Sequence, residues 1–99
     1  MNDRKSFEDK LRLQLFVSGM SVKSMEAIEN IKQLCSDQIE GSYVLEVVDI
    51  YKFPEMAKEN QIVFSPSLIK HFPLPKKTLI GTLSNSEKVK KILGFSSTK

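Results

Sequence analysis

Leu11-Arg12-Leu13-Gln14-Leu15-Phe16-Val17 alternates apolar and polar residues and then turns fully apolar. Alternation at period two predicts a strand with one buried face, and the apolar end predicts cover on both faces. Ser18-Gly19 breaks the run. Over 21–39 the period changes to three or four, through Met25, Ile28, Ile31, Leu34 with Cys35, and Ile39. Charged and amide residues fill the other side, which predicts an amphipathic helix of about five turns. Ser21 suits its N-cap and Gly41 the left-handed residue after its end. Tyr43-Val44-Leu45-Glu46-Val47-Val48-Asp49-Ile50 is rich in β-branched residues and reads as a second strand. Strand, long helix and strand make a βαβ unit with parallel strands.

Beyond Tyr51 the pattern weakens. Pro54 opens a short helix over 54–60, because its missing N–H is not needed in a first turn. Ile62-Val63-Phe64 fits either a strand or a buried turn. Pro73 and Pro75 exclude a regular helix across 72–76, and residues 76–81 read as a short strand. Ser84 and Glu87 have capping-box spacing before a last helix with Val89, Ile92 and Leu93 on its apolar face. Gly94 ends it. The organisation expected is a leader over 1–9, one domain over 10–95 and a tail over 96–99.

The chain has 99 residues, and its net charge of +3 balances 15 basic against 12 acidic side chains. That is mild for a nucleic-acid binder, which concentrates basic residues on one stripe. Cys35 is the sole cysteine, so no intramolecular disulfide forms and a cytoplasmic setting is the simplest expectation. Residues 1–10 lack the apolar core of a signal peptide, and no run approaches the roughly 18 apolar residues that span a bilayer.

Candidate chemistry is sparse. Cys35 falls near the C-terminal end of the long helix, where core packing is the better reading than a nucleophile. His71 is the single histidine and borders a loop, with no partner that sequence can place beside it. One Cys and one His cannot by themselves assemble a zinc site. No phosphate-binding glycine pattern occurs, and no cofactor is implied. Asp49 closes the second strand and suits a loop cap. Lys70, Lys76 and Lys77 surround the proline-rich loop, either as a solvated face or as a contact patch for an acidic partner.

Phe64-Ser65-Pro66-Ser67-Leu68 follows the strand–helix–strand pattern at the point where a thioredoxin-like domain keeps its cis-proline. An X-Pro bond has only a small trans preference, so Pro66 is expected to be cis in such an arrangement. The segment Gly19-Met20-Ser21-Val22-Lys23-Ser24, where that scaffold would carry redox cysteines, has none. A thioredoxin-like layout without that chemistry points to binding or regulation.

Six segments in order then resemble the KaiB family of circadian clock proteins: Leu15-Phe16-Val17-Ser18-Gly19 with Ser24; 41–50; Phe53-Pro54-Glu55-Met56-Ala57; Ser65-Pro66-Ser67-Leu68; Phe72-Pro73-Leu74-Pro75 with 79–85; and Glu87-Lys88-Val89. The resemblance runs from about residue 10 to 94. It implies an α/β mixed-sheet, metamorphic protein with two folds, an oligomeric βαββααβ state (dimer or tetramer) and a thioredoxin-like βαβαββα monomer. The monomer would bind the ring ATPase KaiC, without enzymatic activity. The proline-punctuated second half has the weak local preference that two near-degenerate packings require. The resemblance also assigns contact roles to Glu46, Lys70, Lys76 and Lys77. Departures fall on Glu26, Glu29 and Glu46, where cyanobacterial members usually carry basic residues, and on Ile92 and Gly94, commonly glycine and aspartate. The family's acidic tail has no counterpart in 96–99. These changes point away from the standard clock partners, KaiA in particular. They point toward another KaiC-like ATPase, a signalling kinase or a stress-linked adaptor role. A thiol-linked enzyme using Cys35 is the reading from another class.

Overall fold

A computed structural model describes residues 10–39 and 43–94. The leader over 1–9, Gly41 and the tail over 96–99 lie outside those residues, as does the side chain of Ile39. The elements run β1 (Leu11–Val17), α1 (Val22–Ile39), β2 (Tyr43–Asp49), α2 (Pro54–Glu59), β3 (Ser67–Phe72), β4 (Lys77–Ile80) and α3 (Ser86–Leu93). This βαβαββα order is the thioredoxin-like one of the two expected. The sheet order is β2-β1-β3-β4. β1 is parallel to β2 and antiparallel to β3, and β3 is antiparallel to β4.

The alternation of β1 sorts its residues between two cores. Leu11, Leu13, Leu15 and Val17 face α1 and α3, where they meet Ala27, Ile31, Cys35, Leu68, Leu79, Leu83, Val89 and Leu93. Phe16 faces the other way, with Val48, Ile69 and the α2 residue Met56. Leu15, Phe16 and Val17 are all buried, so the apolar end of β1 is covered on both faces.

The buried stripe of α1 is Ser24, Ala27, Ile31 and Cys35, with Ile28 and Leu34 half-buried. Met25, expected on that stripe, is 44% exposed. The helix turns the small residues Ser24 and Ala27 to the sheet at its N-terminal end, which lets the backbone approach closely. Ser21 caps it, its Oγ accepting from Ser24 N at 3.2 Å.

Two further expectations are corrected. The segment Ile62-Val63-Phe64 is neither strand nor buried turn: Ile62 packs on the smaller core, while Val63 and Phe64 are exposed. The cap of α3 is Asn85 and not Ser84, because the chain turns at Leu83 (φ +64°) and the helix starts at Ser86. Asn85 Oδ1 accepts from Lys88 N at 3.2 Å, and Glu87 pairs instead with Lys90 at 3.8 Å. Sequence pattern also gave no strand at 67–72, which forms β3, a central strand of the sheet. Gly94 closes α3 at φ +85°, a conformation that favours glycine.

Candidate partner-binding surface

The loop between β1 and α1 is tied by hydroxyls. Ser24, wholly buried, accepts from Ser18 N at 3.1 Å and from Ser21 Oγ at 2.8 Å. Asp49 Oδ1 accepts from Gly19 N at 3.2 Å and Tyr51 N at 2.9 Å, so this carboxylate caps two loops. The only thiol among the described residues, Cys35, lies in the larger core and has no surface exposure. Burial pushes its pKa up to about 11, which leaves little thiolate at neutral pH. It has neither the access nor the ionisation that a nucleophile needs. Among the described residues, no three His, Cys, Asp or Glu side chains converge as a metal ion requires, and no helix is long and apolar enough to cross a membrane.

Ser65–Pro66 is a cis peptide, as are Phe72–Pro73 and Leu74–Pro75. Pro66 is buried and its carbonyl accepts from Gly81 N at 2.8 Å, joining β3 to the end of β4.

The four candidate contact residues do not form one patch. Lys70 pairs in register with Leu13 and Lys77, and register partners point to the same face. It therefore lies on the α1/α3 side and is 5% exposed, not the solvent-facing cation expected. The reason is its strand: β3 lies between β1 and β4, so little of it reaches the rim. Glu46 pairs in register with Gln14 and stands on the opposite face, exposed. Lys76 and Lys77 are both exposed, at the start of the edge strand β4.

The structure adds a polar row that sequence reasoning missed. Gln14 Nε2 donates to Glu46 Oε1 at 2.9 Å, and Gln14 Oε1 is 2.9 Å from His71 Nε2. A carboxylate only accepts, so the amide must turn its Nε2 to Glu46 and its oxygen to His71. His71 Nε2 then carries a hydrogen and donates. Burial and the nearby Lys76 ammonium lower the pKa of His71, partly opposed by Glu46. Arg12, whose guanidinium lies 5.8 Å over the Phe72 ring, continues this face. The signal was present: Gln14 and Glu46 are both fourth in their parallel strands.

This fold and surface define a thioredoxin-like domain with no cysteine in its redox loop. The same fold occurs in the germline-specific thioredoxin Deadhead of Drosophila melanogaster, with a TM-score of 0.71 and 16% identity over 92% of this chain and 85% of that one. It also occurs in the N-terminal domain of Synechococcus elongatus SasA, with a TM-score of 0.71 and 21% identity over 85% of this chain and 80% of that one. Residues 14–95 match the KaiB domain. The circadian clock protein KaiB3 of Synechocystis sp. is 38% identical over 81 residues, 82% of this chain and 79% of its own. The circadian clock oscillator protein KaiB of Synechococcus elongatus is 39% identical over 77 residues, 78% of this chain and 76% of its own. The chain belongs to the KaiB family.

Proposed function

We propose that this protein is a clock-type regulator that acts by binding rather than by catalysis, with a KaiC-like ring ATPase as its partner. The observation that carries the reading is the βαβαββα order of a KaiB-family chain, the arrangement expected of the ATPase-binding monomer. The hydroxyl-tied loop and the buried Cys35 support a non-enzymatic role. Glu46, Lys76 and Lys77 supply contacts, while Lys70 and Pro66 shape the strand beneath them. Glu26, Glu29 and Glu46 are exposed carboxylates, which favours a partner surface that is basic opposite them. A signalling kinase fits that requirement as a second partner class. The protein works in the cytoplasm, and its other family state is a homo-oligomer.

Sizing chromatography of the purified protein with a KaiC-like ATPase, with ATP and with ADP, tests the reading. Co-elution is the expected result. An unshifted peak at high concentration with every nucleotide removes this partner.

A further inference from the structure

We propose that the free edge of β4, together with the groove beside it, receives an extended acidic segment of a partner protein as an added strand. The inference rests on the reading that this protein acts by binding, and it specifies a mode of contact that the reading leaves open.

The backbone supplies the first argument. Gly81 N donates to Pro66 O, which makes 66 and 81 a hydrogen-bonded position of the antiparallel β3–β4 ladder. Such positions alternate, so Leu79 and Lys77 bond inward to β3. Thr78 and Ile80 then turn their N–H and C=O groups outward. Among the described residues β4 ends the sheet, so these groups have no strand partner there. An extended peptide satisfies such a row by strand addition.

The side chains supply the second. Thr78 and Ile80 also line a groove of about 280 Å³ with Gln61, Val63, Phe64 and Ser67. Val63 is 80% exposed, and Phe64 and Ile80 are each 62% exposed. Two residues thus offer open backbone groups along the edge and apolar contact beside it. A short edge strand bearing lysine also resists self-aggregation. Protection alone does not require an apolar groove.

Charge selects the occupant. Lys76 and Lys77 begin the strand, and Lys88 of α3 shares a second hollow with Ile80 on its other side. Across residues 70–91 the only carboxylate is Glu87, which is already paired with Lys90. A strand alternating carboxylates with β-branched residues meets both the cations and the groove. A second copy of this chain would bring to this edge the same lysines and no free carboxylate.

The test is an NMR titration of the whole protein with a short synthetic peptide alternating glutamate with valine and isoleucine. Lysine replaces glutamate in the control peptide. The expected result is amide shifts at 76–80 and around the groove with the acidic peptide only, weakening as salt screens the charges. No shift, or shifts centred elsewhere, overturns the proposal. Thr78→Pro removes an outward N–H, which an edge strand tolerates, and should abolish binding with the remaining spectrum intact. If that variant does not fold, Lys76→Glu with Lys77→Glu decides: a roughly tenfold loss of affinity is expected. Undiminished binding by either folded variant overturns the proposal. A protein that still co-elutes with the ring ATPase but ignores the peptide retains the function above and loses this mode of contact.

Discussion

The face of the sheet beneath α1 and α3 buries twelve described residues in one cluster, whereas the face beneath α2 buries three. The difference follows from the helices. α1 has 18 residues and lays a stripe along the strands, while α2 has six and buries none of its own. Beyond α2 the second face is finished by the row Glu46–Gln14–His71 in place of apolar side chains. A face completed with polar bonds contributes less to stability than a packed one, and it leaves groups within reach of a partner. The molecule thus separates what holds it together from what it can present.

The largest test of that separation is Leu15→Ala. Leu15 is fully buried at the centre of the larger cluster, and the truncation should cost about 4 kcal/mol. Val48→Ala, in the smaller cluster, removes two carbons and should cost about 1.6 kcal/mol. Urea unfolding of both variants measures the gap; equal losses would break the comparison.

Ser24→Ala comes next. The hydroxyl accepts from Ser18 N and Ser21 Oγ in a buried setting, so its loss leaves an N–H without a partner. A cost of about 2 kcal/mol is expected, read from the urea midpoint. Ser24→Cys would keep the size without restoring strong hydrogen bonds, and should recover little.

Lys70→Met sharpens the same face with the opposite sign. Lys70 is buried on the packed side with Lys77 in register opposite, and like charges so placed repel. Methionine matches its length and removes the like-charge neighbour of Lys77, so the variant should gain about 0.5 kcal/mol in thermal or urea unfolding. A loss would mean that the ammonium makes a bond which the register argument does not foresee.

These residues also mark how far sequence reading reaches. β1, α1 and β2 were legible because their apolar periods are long and belong to one type each. β3 was not: cover on both faces removes the alternation, Lys70 and His71 interrupt the apolar run, and Pro66 and Pro73 bracket it as if it were loop. Its burial depends on pairing with β1 far away in the chain, which no local pattern carries. Lys76 and Lys77 were legible as exposed cations, while the burial of Lys70 was not, because it follows from register with Leu13. The helix cap moved from Ser84 to Asn85 because the turn at Leu83 sets where α3 can begin.

The smallest effect belongs to the polar face. The pKa of His71 is lowered from the ordinary 6.5 by burial and by Lys76, against the pull of Glu46. Below 6.5 the unfolded chain takes up a proton that the folded chain still refuses, so stability falls as pH drops through that window. It levels off once the pH passes below the folded value, where both states are protonated. An NMR titration of the His71 ring should show the midpoint below 6.5. Lys76→Gln should raise that midpoint and shrink the acid loss of stability, while Glu46→Gln should lower the midpoint and enlarge the loss. Shifts in the same direction for both variants would mean that the row is not electrostatically coupled across the three strands. The face would then be merely solvated, and its contrast with the packed side would rest on the helices alone.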